Sequence, residues 1–148
     1  MRKTKPARFA VTTELVVYFS DCDPMGHCNN ARFFTFMEQS RVAYYKRLKA
    51  LDLRTMDPRS SLGFIVAEAS CTFHSPAQTD ETLVVGVRIS EMRNRSFIME
   101  YEMREKRSRR LVAAGRTAQV MFDYKKKTSY PIPASLRRKI EKLERRGL

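Results

Sequence analysis

A polar loop followed by a long helical pattern decides the fold: residues 20–51 read SDCDPMGHCNNARFFTFMEQSRVAYYKRLKAL. Asn29 and Asn30 are strong candidates for the helix N-cap, because an Asn side chain accepts from a free backbone N–H. The helical spacing then recurs every three or four positions, at Phe33, Phe36, Met37, Ser40, Tyr44, Leu48 and Leu51. We therefore expect a helix over about residues 30–50 that is apolar around so much of its surface that other structure must wrap it.

The remaining sequence is rich in β-branched and aromatic residues, which strands prefer. We place strands at residues 13–19, 63–73, 82–92, 97–104 and 111–122. Because the later strands follow one another through short hairpins, the sheet should be antiparallel, and its apolar face needs a cover. The prediction is one α+β domain over residues 1–148, with a five-stranded antiparallel sheet wrapped around the long central helix.

Two further segments complete this prediction. Residues 57–61, with Asp57 and Pro58, are typical of a loop. Leu136, Ile140 and Leu143 recur at helical spacing and predict a short amphipathic helix near the C-terminus.

Composition and charge bound the function only loosely. The chain has 148 residues, the usual size of one domain, and a formal net charge of +13. Such basicity attracts polyanions in general: nucleic acid, an anionic membrane or a phosphate-bearing cofactor. The basic runs at 107–110, 125–127 and 137–139 form no single motif, and we interpret most of them as solvated faces.

Cysteine usage and hydropathy indicate a cytoplasmic protein without a membrane span. The three cysteines, Cys22, Cys28 and Cys71, include no CxxC pair, so a disulfide framework is not expected. Cys22, His27 and Cys28 match no common zinc spacing, and we expect no metal. The basic start of the chain is not followed by the apolar run of a signal peptide, and no segment reaches the roughly 20 apolar residues of a membrane helix.

The loop at residues 21–30 carries the densest functional chemistry. It offers the carboxylates of Asp21 and Asp23, the imidazole of His27, and a helix start whose first N–H groups have no intrahelical partner. Those N–H groups and the helix dipole can hold the oxyanion formed when a thioester carbonyl is attacked. A nearby carboxylate can attack that carbonyl or take a proton from water. The same residues also make an ordinary turn and cap, so their role can be either catalytic or purely structural.

The same stretch resembles the signature of 4-hydroxybenzoyl-CoA thioesterase-like proteins, roughly D-x-D-x-x-G-H-V-N-N-x-x-Y followed by a helix with E-x-x-R. Residues 18–34 read YFSDCDPMGHCNNARFF, and Glu38 and Arg41 follow at the helical spacing. Residues 71–77 resemble the family's strand ending in a Pro-Ala turn, and 131–133 its C-terminal segment. Cys28 stands where the family usually has Val, a small apolar change.

The resemblance implies a hotdog fold and a homodimer, often a tetramer, with the active site at the dimer interface. It implies hydrolysis of an acyl-CoA without a metal or an organic cofactor. The family's catalytic carboxylate falls on Asp23, as nucleophile or general base, and its oxyanion-binding N–H falls near Asn30. Arg93 and Arg95 lie in a hairpin that often contacts the phosphates of CoA in this family, and the guanidinium fork suits phosphate.

Other polar residues each have two interpretations. His27 can orient a water or bond to Asp23, or it can simply bond to the backbone of the loop. Asp21 can raise the pKa of Asp23, but we expect it to cap or orient the loop. Glu38 and Arg41, three residues apart on the helix, are expected to form a structural ion pair. The cysteines of the loop are possible nucleophiles with no neighbouring base except His27.

Two rival functions remain to be tested. A hotdog hydratase or dehydratase usually carries a His on the helix, and residues 31–50 contain none. A basic nucleic-acid-binding module is the other alternative, although no aromatic RNP pattern or helix-turn-helix signature is present. The sequence leaves the acyl group open.

Overall fold

The architecture is a curved antiparallel sheet that wraps one long helix. The computed structural model describes residues 8–49 and 62–146. Its strands and helices, in chain order, are β1 Val11–Val16, α1 Asn30–Leu48, β2 Leu62–Phe73, β3 Thr82–Met92, β4 Ser96–Glu105, β5 Leu111–Asp123, β6 Thr128–Ser129 and α2 Ala134–Arg146. The strand order across the sheet is β1-β3-β4-β5-β2, with β6 beside β5, and every pair is antiparallel. The predicted α+β class and antiparallel sheet are confirmed, with β6 as a short sixth strand.

The core lies between α1 and the concave face of the sheet. Alternate residues of β3 and β4 turn inward, as the two-residue period of a strand requires. The fully buried set includes Leu83, Val85, Val87, Phe97, Met99 and Met103. Burying each such side chain stabilises the fold by about 1.5–3 kcal/mol. At Gly115 of β5 an added Cβ would collide with the sulfur of Met37, so α1 packs directly on the sheet backbone there.

The first strand ends earlier than its sequence suggests. We predicted a strand at residues 13–19, whereas β1 spans Val11–Val16 and residues Phe19–Asp21 form a 3-10 turn. The cause is local, because the carboxylate of Asp21 accepts from the N–H of Tyr18 at 2.9 Å and pulls the chain into that turn. The predicted loop at 57–61 lies outside the described residues.

The predicted ion pair between Glu38 and Arg41 is wrong. Glu38 is exposed, and Arg41 instead donates through Nη1 to the hydroxyl of Tyr101 at 3.4 Å. That hydroxyl also lies 3.0 Å from the hydroxyl of the buried Thr117. Arg41 therefore stabilises a polar group inside the sheet rather than a charge on the helix surface.

The C-terminal helix closes the far end of the core. Ile140 is buried, and Glu144 accepts from both the hydroxyl of Tyr44 and the N–H of Ile89, the latter at 2.8 Å. The β3–β4 register shifts directly after Ile89, and such an irregularity breaks the ladder of hydrogen bonds locally. Glu144 thus fastens α2 to the sheet at the bulge. In the part of the chain that the structure describes, no helix is long and apolar enough to span a membrane.

Candidate active site

The loop between β1 and α1 is a small hairpin closed by two cysteines. Cys22 and Cys28 face each other in an antiparallel bridge, flanked by bonds from Asp23 N–H to His27 O at 3.0 Å and from Asn29 N–H to Asp21 O at 2.8 Å. This pairing brings the residues on either side of the loop tip close together.

A tight turn forms the tip of that hairpin. The N–H of Gly26 donates to Asp23 O at 3.0 Å, and the N–H of Met25 donates to Asp23 Oδ1 at 2.9 Å. Asp, Pro and Gly at these turn positions match the statistical preference of a β-turn. Gly26 has a φ of +87°, a conformation that residues with a side chain rarely adopt. Asp23 therefore shapes the turn through Oδ1.

The two aspartates of the motif have different environments. Asp21 is 3% exposed, and its carboxylate accepts from the N–H of Tyr18 and from Nε of Arg32 at 2.7 Å. Asp23 is half-buried, and its carboxylate accepts only the turn bond from Met25 N–H among the described residues. Asp21 thus orients the loop, while Asp23 keeps one carboxylate oxygen free.

The start of α1 leaves one backbone donor without a partner. Asn29 is the N-cap; its side chain accepts from Ala31 N–H at 2.9 Å and its carbonyl from Arg32 N–H at 3.0 Å. The N–H of Asn30, which lies between Asn29 and Ala31, has no hydrogen-bond partner among residues 8–49 and 62–146. The N-terminus of a helix also favours negative charge through the helix dipole. The N–H of Asn30 is thus the natural donor to an anion.

A cavity of about 410 Å³ opens beside this helix start, at the end of β2. Its polar lining comes from Asp23, His27, Asn30 and His74. Its apolar wall includes Phe33 and Phe73, whose rings meet edge to face with centroids 5.3 Å apart. The cavity falls within the size range of small-molecule sites and combines an apolar wall with a few converging polar groups.

The structure brings together three of the five predicted site residues. Asp23, His27 and Asn30 line one cavity, whereas Arg93 and Arg95 do not. The latter two lie at the opposite end of the sheet, where Arg95 O pairs with the N–H of Met121. From there to Ala113, the residue of β5 paired with the cavity-lining Phe73, is eight residues, or about 26 Å at 3.3 Å per residue.

The cavity wall formed by residues 74–77 is not predicted by the sequence. The sequence assigns no role to His74, yet the only two histidines of the chain, His27 and His74, line the same cavity. Arg110 holds this wall in place by donating to Ser75 Oγ at 2.8 Å and to the carbonyl of Pro76. Arg110 also pairs with Glu81 at 2.8 Å. No local motif predicts these contacts, because they join the residue just before β5 to the loop after β2.

The chemistry of Cys28 argues against a nucleophilic role for that thiol. Burial, followed by the charge of Asp21, raises the pKa of Cys28 to about 12. The thiolate is the reactive form of cysteine, so Cys28 is protonated and weakly nucleophilic at neutral pH. Within residues 8–49 and 62–146, no group of three or more His, Cys, Asp or Glu side chains is arranged to hold a metal ion.

Comparison with known proteins supports the same interpretation of the fold. Residues 17–140 match the model of the thioesterase-like superfamily. Acyl-CoA thioesterase YbgC of Haemophilus influenzae is 26% identical over 87 residues, which are 59% of this chain and 63% of that protein. The chain thus spans about three fifths of the length of YbgC, and 60% of another curated relative.

Solved structures share nearly the whole architecture. A thioesterase from Thermus thermophilus, complexed with coenzyme A and Zn, is 29% identical with a TM-score of 0.78 over 92% of this chain and 95% of that one. Slr0204, a 1,4-dihydroxy-2-naphthoyl-CoA thioesterase from Synechocystis, has a TM-score of 0.81 at 22% identity over 93% and 98% of the chains. The predicted hotdog arrangement of sheet and helix is confirmed by these likenesses.

Proposed function

Because the chain belongs to the thioesterase-like superfamily, as its sequence predicted, we propose that it hydrolyses the thioester of an acyl-CoA to the free acid and CoA. Several relatives and structural neighbours of the chain, including YbgC and the Thermus thermophilus protein, are named as thioesterases, which supports a thioester hydrolase. One observation carries the proposal: a free carboxylate oxygen of Asp23 and the unpartnered N–H of Asn30 belong to residues that line one cavity.

The N–H of Asn30 stabilises the oxyanion. The thioester carbonyl oxygen lies at the start of α1 and accepts from this N–H, which needs no rearrangement because it has no other partner. Negative charge grows on that oxygen as the carbonyl is attacked, so the bond strengthens in the transition state. Removing one such donor typically costs about 2.7–4 kcal/mol of barrier.

Asp23 supplies the attacking electrons. Its free oxygen either attacks the carbonyl carbon, giving an anhydride that water then hydrolyses, or removes a proton from the attacking water. The turn bond from Met25 N–H to Oδ1 fixes the carboxylate in both cases. CoA leaves as the thiolate and takes a proton from solvent. His27 and His74 line the same cavity and orient water or substrate there.

The unit that performs this reaction is a homodimer formed through β2. This 12-residue strand is at the edge of the sheet, paired only with β5 among the described residues. Two of its exposed side chains, Val66 and Phe73, are large and apolar, and an exposed apolar edge is a liability unless another strand covers it. A second copy covers it by antiparallel pairing about a two-fold axis.

Such a dimer explains the distant arginines. Antiparallel pairing sets the Leu62 end of one β2 beside the Phe73 end of the other, and the β3–β4 hairpin with Arg93 and Arg95 lies at the Leu62 end. Each hairpin then reaches the cavity of the other subunit. We propose that its arginines bind the phosphates of CoA there, in a cytoplasmic dimer or tetramer.

A thiol-release assay over a panel of short, medium, long and aromatic acyl-CoA substrates tests the function. We expect thioester-dependent release of CoA from at least one class, above the rate with a heat-inactivated sample. No release from any class, together with salt-sensitive binding of RNA or DNA in a gel shift, would favour the nucleic-acid alternative. Conversion of an added enoyl-CoA to a hydroxyacyl-CoA, by addition of water across its double bond without release of CoA, would favour the hydratase alternative.

A further inference from the structure

The two cysteines of the active-site hairpin occupy positions that a disulfide can join. The flanking hydrogen bonds run between Asp23 and His27 and between Asp21 and Asn29, which makes Cys22 and Cys28 a non-hydrogen-bonded antiparallel pair. Cα atoms in such pairs lie about 4.5 Å apart, with side chains on the same face. Disulfides span Cα separations of about 4.4–6.8 Å, so the backbone is already within range.

The thiols are reduced in this structure, and each contacts a different polar group. Cys22 Sγ lies 3.3 Å from the hydroxyl of Thr79, and Cys28 Sγ lies 3.7 Å from the carbonyl of Asn29. Both side chains pack against the same core cluster. Rotation of the two side chains about χ1 is therefore the main movement needed to bring the sulfurs together.

We propose that Cys22 and Cys28 form a dithiol site that reacts with a small-molecule disulfide, closing a Cys22–Cys28 bond across the loop that carries Asp23 and His27. The effect on turnover, but not the bond itself, rests on the proposed thioesterase function. Disulfides in cytoplasmic proteins are usually transient and redox-sensing, as a site beside a catalytic residue would be.

The exchange proceeds in two balanced steps. The half-exposed Cys22, as thiolate, attacks one sulfur of the small disulfide, forming a mixed disulfide and releasing one small thiolate. Cys28 then loses its proton as it attacks the Cys22 sulfur and releases the second small thiolate; because burial raises its pKa, this is the slower step. Two protein thiols are oxidised, one small disulfide is reduced, and the two thiol protons end on the two released thiols.

The bond should slow the proposed reaction. It replaces the Cys22 contact with Thr79 and fixes the width of the hairpin whose tip positions Asp23. Cys28 also lines the cavity, so its sulfur moves at the site itself. Since a displacement of about 1 Å can cost 100-fold in rate, we expect a loss of at least about tenfold.

Glutathione disulfide is the probe, followed by alkylation and tryptic mass spectrometry. The chain has no Lys or Arg between Arg8 and Arg32, so both loop cysteines fall in the peptide 9–32, whereas Cys71 falls in a separate peptide. We expect peptide 9–32 to lose two hydrogens and both alkylation sites, and turnover to fall and recover with dithiothreitol. Cys71→Ser should behave like the unsubstituted protein, each compared with its own reduced rate.

Cys22→Ser and Cys28→Ser should lose the internal bond, and Cys28→Ser should stop at a glutathione adduct on Cys22. Persistent alkylation of both loop cysteines, or single adducts without the internal bond in the unsubstituted protein, would overturn the proposal. An unchanged rate with the bond fully formed would overturn its regulatory effect. The mass readout needs no turnover, so a protein that forms the bond but hydrolyses no thioester supports the dithiol site and refutes the function instead.

Discussion

The two ends of the sheet are both rich in polar residues, yet they use them differently. At the end that holds the cavity, polar groups of Asp23 and Asn30 remain without partners beside an apolar wall. At the opposite end, Arg95 donates to Ser129 O at 2.5 Å, and Arg93 pairs with Glu91 at 2.7 Å in solvent.

The difference shows why charge density is a poor guide to this molecule's chemistry. A free N–H and a free carboxylate oxygen beside an apolar cavity wall can bind a ligand, so they mark this end as a binding site. Groups in solvent need no ligand, and exposed ion pairs add little stability. We therefore propose catalysis at the first end, and phosphate binding across the proposed dimer at the second.

Replacing Asn30 by Pro should produce the largest change of those that test the first end. Proline removes the N–H together with the carboxamide side chain, and it is well tolerated at the first helical position. Asn29 already has φ −62° and ψ 138°, the extended conformation that a residue before proline prefers. We expect kcat to fall about 10²–10³-fold, as for the loss of an oxyanion donor, in steady-state thiol-release kinetics.

Asn30→Ala is the matched control, because it keeps the N–H and removes the side chain. It should keep most of the activity, with an unchanged far-UV circular dichroism spectrum for both variants. An Asn30→Ala variant as slow as Asn30→Pro would show that the side chain, which both variants lack, and not the backbone N–H serves the reaction.

The proposed phosphate-binding role of the opposite end of the sheet is tested by the double change Arg93→Ala and Arg95→Ala. A charge-assisted hydrogen bond contributes about 1.5–3 kcal/mol, so we expect KM to rise at least about tenfold with kcat little changed. High salt should reduce the difference. Arg107→Ala, an exposed arginine at the cavity end of the same subunit, is the control. If Arg107→Ala raises KM and the double change does not, the phosphates lie on the subunit's own β4–β5 hairpin.

Asp21 and Asp23 should separate stability from turnover. Asp21→Ala leaves the N–H of Tyr18 without its acceptor, and we expect a loss of about 1–3 kcal/mol in the free energy of unfolding. Its partner Arg32 is 43% exposed, so solvent screens most of that ion pair. Asp23→Asn should stay within about 0.5 kcal/mol of the original in urea unfolding. Equal losses of unfolding free energy in the two variants would contradict a structural role for Asp21 that Asp23 does not share.

The smallest effect concerns the turn of the β4–β5 hairpin at the cavity end. Hydrogen bonds from the hydroxyl and N–H of Ser108, and from the N–H of Arg107, lower the pKa of Glu105 to about 2. A carboxylate with a lowered pKa stabilises the fold above its unfolded value and loses that contribution as pH falls toward the folded value. The original protein should have a larger free energy of unfolding than Glu105→Gln at about pH 5.5. This difference should shrink as the pH falls to about 3 in urea unfolding. A constant difference would contradict the assignment.

Local patterns in the sequence determined most of the fold and one wall of the site. The apolar spacing after Asn29 places α1 to within two residues, and the hairpin links place β3 to β5, because both depend on neighbours in the chain. The hydrogen bonds of Arg41 to Tyr101 and of Arg110 to Pro76 join residues far apart in the sequence, which no local pattern encodes. The loop motif located Asp23, while only the coordinates showed which N–H at the helix start is free.

The most direct test of the catalytic assignment is kcat of Asp23→Asn at saturating acyl-CoA. Asn keeps the acceptor for the turn bond from Met25 but cannot act as nucleophile or base. Asp80→Asn is the control, an exposed aspartate whose φ of +68° Asn tolerates well. We predict a fall of at least about 100-fold for Asp23→Asn with unchanged CoA affinity, and no fall for Asp80→Asn. Turnover of Asp23→Asn near that of the original protein would contradict the account.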